Sequence, residues 1–238
     1  PEGQVSHVNI GLHWTAVLVE VAAEKRCGLA STLHSDHSHG VSDVPQAGQL
    51  ENLPALELAS FIQGDQPLMA SLGMAAINAL LPQQPETWVD LNAEEVIAEK
   101  GEGRAVVLIG HFPFVPRLKG KVGSLTVLEL EPQPGDLPVS AASEVIPPAD
   151  VVAITSMTLL NKTLEGLLAL IQPKATVIML GPTTPLSPVL FDYGINLLCG
   201  SVITQIEPVL AAVRQGANFR QVRQAGVRLV STARSLDF

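Results

Sequence analysis

The second half of the chain alternates short apolar runs with polar loops and helix-like segments. The runs are six or seven residues long, show little polar alternation, and cover residues 105–110, 124–130, 150–155, 175–180 and 195–200. Such runs are typical of parallel strands whose sheet is covered by helices on both faces. Helices are predicted at 161–171, after Ser187 and at 207–215. The pattern therefore predicts a Rossmann-like α/β domain over residues 91–238.

The first half has a different pattern. Residues 13–33 are rich in β-branched and aromatic side chains on either side of a polar stretch, and they predict a β-hairpin with its turn at residues 24–26. Two helices are predicted after it, one that begins near Pro54 and an Ala-rich, buried one over residues 67–81. The first half is therefore predicted to be a small α+β domain over residues 1–90.

Composition narrows the class of protein. The 238 residues are 47% hydrophobic and only 16% charged, which excludes an intrinsically disordered chain. No apolar run approaches the roughly 20 residues that a transmembrane helix needs, so no membrane partner is expected. The two cysteines lie far apart and no basic-then-apolar leader precedes the first predicted strand. These features favour a cytoplasmic protein.

Charge is distributed unevenly. The net charge is −9, and residues 1–100 carry thirteen acidic side chains against three basic ones, which disfavours binding to nucleic acid. Residues 208–236 contain no acid and five arginines, namely Arg214, Arg220, Arg223, Arg228 and Arg234. We interpret this segment either as a solvated helix face or subunit contact, for example in a homodimer, or as a tail that faces an anion.

Ligands of open parallel sheets bind beyond the carboxyl ends of the strands. After the first predicted strand, His111 lies between Gly110 and the bulky Phe112. This loop lacks the GxGxxG motif, which disfavours an ordinary dinucleotide site. Glu129 and Glu131 lie about 20 residues further on, where a ribose-binding acid would stand. Because the glycine motif is absent, the interpretation as solvent-facing acids is favoured over ribose binding.

The loop after residues 150–155 is rich in hydroxyl groups. Thr155 and Ser156 lead to Asn161 and Lys162 at the N-terminus of a predicted helix. Backbone N–H groups and the helix dipole favour an anion at such a position, although Ser and Thr are also common N-caps. Because the dipole disfavours a cation in the first turn, we interpret Lys162 as a ligand of the anion.

Further candidate ligand-binding residues lie in the loop after residues 175–180 and in the predicted helix 67–81. Thr183 and Thr184 lie among three prolines, which predicts a rigid wall of a ligand pocket. Asn78 is an amide inside an apolar helix. It is either a satisfied structural link or a group that faces a cleft between the two domains.

A cluster of metal-ligating residues lies in the first half of the chain. His34, Asp36, His37 and His39 place three imidazoles and one carboxylate within six residues. Such donors suit Zn, Ni, Co or Cu. For the protein as a whole the candidate cofactor is a transition metal, namely Co, Ni, Zn or Fe. The alternative is a His-rich surface segment without a metal. The GxSxG, GxxxxGK[ST] and HExxH motifs of common hydrolases, NTPases and zinc proteases are absent.

Six strings of residues resemble a prokaryotic family of proteins of unknown function described as "Putative heavy-metal chelation". They are GLHWTAV (11–17), CGLA (27–30), SLGMAAINA (71–79), GHFPF (110–114), NKTLE (161–165) and LGPTTPLSP (180–188). The strings occur in the same order as in the family and span nearly the whole chain, which makes the resemblance specific.

The resemblance implies an N-terminal domain like that of enolase, a Rossmann-like C-terminal domain, and a site where the two meet. It also implies a role in chelating a metal or handling a metal cofactor. In the first domain the resemblance singles out Asn78. In the second it singles out six residues, namely His111, Thr155, Asn161, Lys162, Thr183 and Thr184.

Three functions follow as alternatives. The first is binding of a small anionic or metal-bearing ligand in the interdomain cleft, with Lys162 on the anion and His111 as a metal ligand or acid/base. The second is an enzyme with a nucleotide-type cofactor, a methyl or adenosyl donor, whose ribose binds Glu129 or Glu131. The third is a non-catalytic binding or regulatory module that docks a partner through its arginine-bearing segment. The sequence leaves open whether the protein is an enzyme.

Overall fold

The computed structural model of the protein describes residues 2–34 and 44–235. Two compact units are present. The first consists of Pro1–Pro85, Pro182–Leu186 and Gly200–Leu229, and the second of Glu86–Gly181, Ser187–Cys199 and Val230–Phe238. The first unit therefore takes residues from both halves of the chain.

Strands and helices follow one another along the chain. The strands are β1 (Gln4–Ile10), β2 (Trp14–Val21), β3 (Glu24–Ser31), β4 (Trp88–Val89), β5 (Ala105–Ile109), β6 (Ser124–Glu129), β7 (Leu137–Pro138), β8 (Val151–Thr155), β9 (Thr176–Leu180), β10 (Leu197–Ile203) and β11 (Val227–Ala233). The α-helices are α1 (Ala55–Ser60), α2 (Pro67–Leu80), α3 (Ala93–Lys100), α4 (Val115–Leu118), α5 (Ala142–Val145), α6 (Met157–Leu160), α7 (Leu164–Leu168), α8 (Ile206–Arg214) and α9 (Phe219–Ala225). Short 3-10 helices lie at Phe61–Gln63, Pro85–Thr87, Val139–Ala141 and Pro188–Tyr193.

The first unit contains a three-stranded antiparallel sheet in the order β1-β2-β3. The predicted hairpin is present, but its predicted turn at residues 24–26 is wrong. Val21 pairs with Glu24, and the turn consists of Ala22 and Ala23, whose φ angles of 50° and 67° are left-handed. A two-residue turn with positive φ matches the right-handed twist of the strands, so the polar residues that follow belong to β3.

Helices cover both faces of this sheet. Successive strand residues point to opposite faces. Cys27 and Leu29 pack in one apolar cluster with residues of α8 and α9, including Val209 and Val222. Gly28, which lies between them, points the other way and is close to the backbone of α2. The apolar face of the sheet is therefore completed by helices that come from the far end of the sequence.

Most of an eight-stranded sheet lies in the second unit, in the order β4-β11-β10-β9-β8-β5-β6-β7. Six neighbouring strands pair in parallel, and across the sheet they follow the order β7, β6, β5, β8, β9 and β10. Strands β4 and β11 pair antiparallel with each other. The predicted α/β class with a parallel sheet is confirmed. Numbered from β5, the six parallel strands lie in the order 3-2-1-4-5-6, which is the order of doubly wound nucleotide-binding folds.

The prediction of one helix over residues 161–171 is wrong. The structure has two short helices, α6 and α7, separated by residues 161–163. Asn161 Oδ1 accepts hydrogen bonds from the backbone nitrogen and the hydroxyl of Thr163, and Lys162 has a left-handed φ of 60°. The Asn side chain therefore forms a local turn that competes with continuation of the helix. Among the described helices, none is long and apolar enough to cross a membrane.

Candidate functional site

The carboxyl ends of β5 and β8 lie side by side. Gly110, directly after β5, has a φ of 105°, and a Cβ atom there would lie 3.0 Å from the Thr155 side chain at the end of β8. Glycine is thus required at this point by both its backbone conformation and the space available. From these two strands the chain continues to opposite sides, to β6 and to β9, so this is the topological switch point of the sheet.

The end of β9 joins the same group of loops. Ser156 donates its backbone N–H to Leu180 at 2.9 Å. Gly181 has a φ of 127°, and a Cβ atom there would lie 2.7 Å from the Ser156 hydroxyl. The structure therefore brings Gly110, Thr155, Ser156 and Gly181 together at one edge of the sheet.

His111, next to Gly110, is held by a carboxylate that the sequence analysis missed. Its Nδ1 lies 2.8 Å from Oδ2 of Asp136. The backbone nitrogen of Gln133 donates to the same oxygen at 3.1 Å. The Asp136 side chain is only 4% exposed, while that of His111 is 22% exposed. The contact with Asp136 engages Nδ1, which leaves Nε2 as the ring nitrogen of His111 that is open to a ligand.

No sequence pattern marks Asp136 as the partner of His111. The two residues are separated by 25 positions and by the whole of β6. The only signal is the Pro134-Gly135-Asp136 run, which is typical of a turn. Gly135 does have a left-handed φ of 100°. A prediction of the loop was thus possible, but its closure onto His111 depends on the parallel pairing of β5 and β6.

The hydroxyl and amide groups after β8 make mainly local hydrogen bonds. Thr155 Oγ1 accepts the backbone N–H of Met157 at 3.3 Å, and the Thr155 carbonyl accepts the Thr158 hydroxyl at 2.7 Å. Helices α6 and α7 have four and five residues, too short for a substantial dipole. The prediction that Lys162 lies in the first turn of a helix is wrong, since it lies in the turn between the two helices.

The other three predicted site residues belong to the first unit. Asn78 Nδ2 donates to the carbonyls of Leu29 at 2.9 Å and Thr183 at 3.0 Å. Thr183 Oγ1 accepts the backbone N–H of Ser31 at 2.9 Å. Asn78 is thus a satisfied structural link, and with Thr183 it fastens the loop Pro182–Leu186 to β3. Thr184 Oγ1 is buried and has no partner within residues 2–34 and 44–235.

The predicted metal cluster is only partly visible. His34 is exposed, and its Nε2 lies 2.8 Å from the carbonyl of Leu12. Asp36, His37 and His39 lie outside the described residues. Within the described ranges, no three His, Cys, Asp or Glu side chains are grouped in a way that could hold a metal ion.

Neither cysteine offers a thiolate at neutral pH. Burial raises the pKa of Cys27 to about 12, and the Glu207 carboxylate adds to this effect. Burial also raises the pKa of Cys199 to about 11, against a hydrogen bond from Ser231 that lowers it. Since alkylating reagents react with the thiolate, both cysteines should be alkylated slowly in the folded chain.

We expect native thiols to react with iodoacetamide at pH 8 at least about 100-fold more slowly than free cysteine, because about one free thiol in four is ionised there and the native pKa values leave about one in a thousand or fewer. The measurement is mass spectrometry of the alkylated protein with time. Unfolding in urea should restore the rate at both positions. Modification of either cysteine at the free rate without urea would contradict the expectation.

The residues that the two alternative functions would use differ in their exposure to solvent. Glu129 is half-buried at the end of β6, where its carboxylate accepts the backbone N–H of Leu130 at 2.9 Å, and Glu131 is exposed. The rings of Phe112 and Phe114 stack with centroids 5.1 Å apart, in the loop where a dinucleotide site has glycines. All five arginines of residues 208–236 are exposed, as expected for a solvated face or a docking surface.

Comparison with known proteins identifies the family. Residues 92–231 match the model of the DUF364 family, whose description is "Putative heavy-metal chelation". The chain belongs to the DUF364 family. Residues 1–81 match a second model, DUF4213, which has the same description. The predicted membership in a family with this description is therefore confirmed.

Similar proteins are known from three prokaryotes. A DUF364 protein of unknown function from Desulfitobacterium hafniense has a crystal structure with a TM-score of 0.80 and 23% identity, over 97% of this chain and 91% of that one. A second one, from Pyrococcus horikoshii, has a TM-score of 0.82 and 22% identity, over 97% and 93%. An uncharacterised protein of Methanocaldococcus jannaschii is 24% identical over 214 residues, 87% of this chain and 82% of its own length. The two crystal structures establish the shared DUF364 fold.

Proposed function

We propose that this chain binds a small anionic or metal-bearing ligand at the carboxyl ends of β5 and β8, with His111 as its principal contact. The observation that carries the proposal is the His111–Asp136 pair, in which a nearly buried carboxylate holds an imidazole beside the switch point of the sheet. The switch point is where open α/β sheets bind ligands.

The chemistry of the pair supports this assignment. A carboxylate on Nδ1 fixes the orientation of an imidazole and leaves Nε2 to bind a metal or exchange a proton. The ring is exposed enough to meet a ligand, while Asp136 is too buried to compete for it. The description of the DUF364 family supports a metal-type ligand.

A thermal-shift screen with histidine footprinting tests the proposal. The probes are Co(II), Ni(II), Zn(II) and Fe(II) salts, their nitrilotriacetate complexes, phosphate, and small carboxylates. At about 100 times its dissociation constant a ligand adds close to 3 kcal/mol of stability, so the melting temperature should rise by about 5 to 10 °C. The same compound should protect His111 from modification by diethyl pyrocarbonate.

His7 is the internal control of this footprint, because its ring is 56% exposed and its Nδ1 lies 3.2 Å from a carboxylate oxygen of Glu51. Its modification should not change with ligand. If none of the probes both stabilises the protein and protects His111, the proposal is wrong. Stabilisation without protection of His111 would place the ligand elsewhere and would equally contradict it.

A second candidate is an enzyme with a nucleotide-type cofactor. The 3-2-1-4-5-6 strand order favours it, as does the position of Glu129 at the end of the second parallel strand, where a ribose-binding acid stands in nucleotide-binding folds. Adding adenine nucleotides and S-adenosylmethionine to the same screen separates the two candidates. Stabilisation by an adenosyl compound that Glu129→Gln abolishes would support the enzyme. A flat response to these compounds would count against it.

A further inference from the structure

The donor groups that residues 2–34 and 44–235 place around His111 do not fit a heavy-metal ion bound by these residues alone. Zinc and related ions take four or more ligands, and structural sites supply at least three from side chains. Asp136 is nearly buried, and its Oδ2 already accepts hydrogen bonds from His111 and Gln133. Among the described residues no group of three ligating side chains exists.

The cysteines do not complete such a site either. Soft heavy metals prefer thiolates. Burial, however, raises the pKa of both thiols to about 11 or 12. Cys27 is packed in the apolar cluster with Val209 and Val222, and Cys199 is hydrogen-bonded to Ser231. The pair at the switch point therefore supplies one coordinating atom, Nε2 of His111.

We propose that the ligand of this site is a transition-metal complex whose other coordination positions are filled by an organic chelator, and that His111 Nε2 fills the remaining one. In this exchange the Nε2–metal bond forms, a metal–water bond breaks, and the water leaves, with no change in oxidation state. The inference rests on the proposed function. According to this inference, the protein binds a metal that an organic molecule already chelates, and it does not itself chelate a bare ion.

Asp136 is the positioning residue of this arrangement. A metal-bound imidazole commonly donates its other ring nitrogen to a carboxylate, which fixes the ring and strengthens the donor. The 2.8 Å contact between Nδ1 and Oδ2 provides this arrangement before any metal is present. The backbone N–H of Gln133 in turn holds the carboxylate in place.

Because the chain contains few histidines, the binding of a metal complex by His111 can be tested on its own. The sequence has six histidines. Replacing His7, His13, His34, His37 and His39 with glutamine leaves His111 as the only imidazole. The three of these that the structure describes are exposed, so the variant should fold, and circular dichroism with a thermal melt checks this. The probe is Cu(II)–nitrilotriacetate, observed by electron paramagnetic resonance.

The single-histidine variant should form an adduct with one equivalent of the complex. Its spectrum should show hyperfine coupling to the imidazole nitrogens in addition to the coupling from the amine nitrogen of nitrilotriacetate. Adding His111→Gln should abolish the adduct. Asp136→Asn should weaken it about 10- to 100-fold. It should also change the hyperfine coupling, which a purely structural role of Asp136 would leave unchanged. Metal-free nitrilotriacetate is the matched control and should not bind.

Three results would overturn the inference. One is the absence of an adduct in the single-histidine variant, and another is an adduct that survives His111→Gln. The third is tighter binding of bare Ni(II) or Zn(II) than of their nitrilotriacetate complexes by the single-histidine variant, measured by calorimetry. If phosphate or a carboxylate protects His111 while no metal complex forms the adduct, this inference fails and the proposed function stands.

Discussion

Replacing Gly28 with alanine is expected to lower the free energy of unfolding by about 3 kcal/mol, because it overpacks a closely fitted contact. A Cβ atom at position 28 would overlap the backbone oxygen of Ala75 and the backbone nitrogen of Ala79, and would lie 2.8 Å from the carbonyl carbon of Asn78. These are main-chain atoms of α2, so the whole helix must move away from β3. Urea unfolding followed by circular dichroism measures the loss.

Gly166→Ala is the matched control for this change. Gly166 lies in α7, and nothing lies within 4 Å of the position of its added Cβ atom. Alanine there should stabilise the protein by about 0.5 to 1 kcal/mol, since it removes the conformational freedom of glycine from a helix. A Gly28→Ala protein whose stability lies within 0.5 kcal/mol of the original would show that α2 does not pack on β3 as closely as described.

The second large effect is expected for Gly181→Ala, at about 2 to 3 kcal/mol, because a strained backbone and a collision add together. The φ of 127° is unfavourable for any residue with a side chain, and the new Cβ atom would lie 2.7 Å from the Ser156 hydroxyl. Ser156 is almost completely buried and cannot easily turn away. The carboxyl ends of β8 and β9 should separate, so the protection of His111 by a bound ligand should also decrease.

Gly194→Ala distinguishes the two contributions. Gly194 has a left-handed φ of 87°, but nothing lies within 4 Å of its added Cβ atom. Its replacement by alanine should therefore cost only the backbone strain, about 1 kcal/mol. Equal losses of stability in the two variants, measured by urea unfolding, would rule out the contact between Gly181 and Ser156.

The α/β class followed from the sequence because buried parallel strands are continuous apolar runs. The run at residues 105–110 contains β5, and the run at 150–155 contains β8, with ends correct to one residue. By contrast β1 was not predicted, since the pattern of QVSHVNI mixes apolar and polar positions. The short helix α9 was missed for a similar reason, because FRQVRQA has only two large apolar residues.

The candidate site was predictable in part. His111 and Thr155 follow apolar strands directly, so their place at the carboxyl ends was readable from the sequence. Asp136 was not, because its contact with His111 depends on tertiary closure of a loop. Lys162 was misplaced since a side-chain hydrogen bond of Asn161 ends the helix, and periodicity does not report such a bond. Asn78 was noted as anomalous, and its two carbonyl partners account for it.

The return of α8 and α9 to the amino-terminal sheet has a consequence for synthesis of the protein. On a ribosome, β2 and β3 emerge well before α8 and α9. The apolar side chains of Trp14, Leu18 and Leu29 pack against residues as late in the chain as Val227. Domains whose contacts are close in sequence can fold while translation proceeds. The nascent chain therefore carries an uncovered apolar surface until α8 and α9 have been synthesised, and during this time the surface is exposed to aggregation and to chaperones.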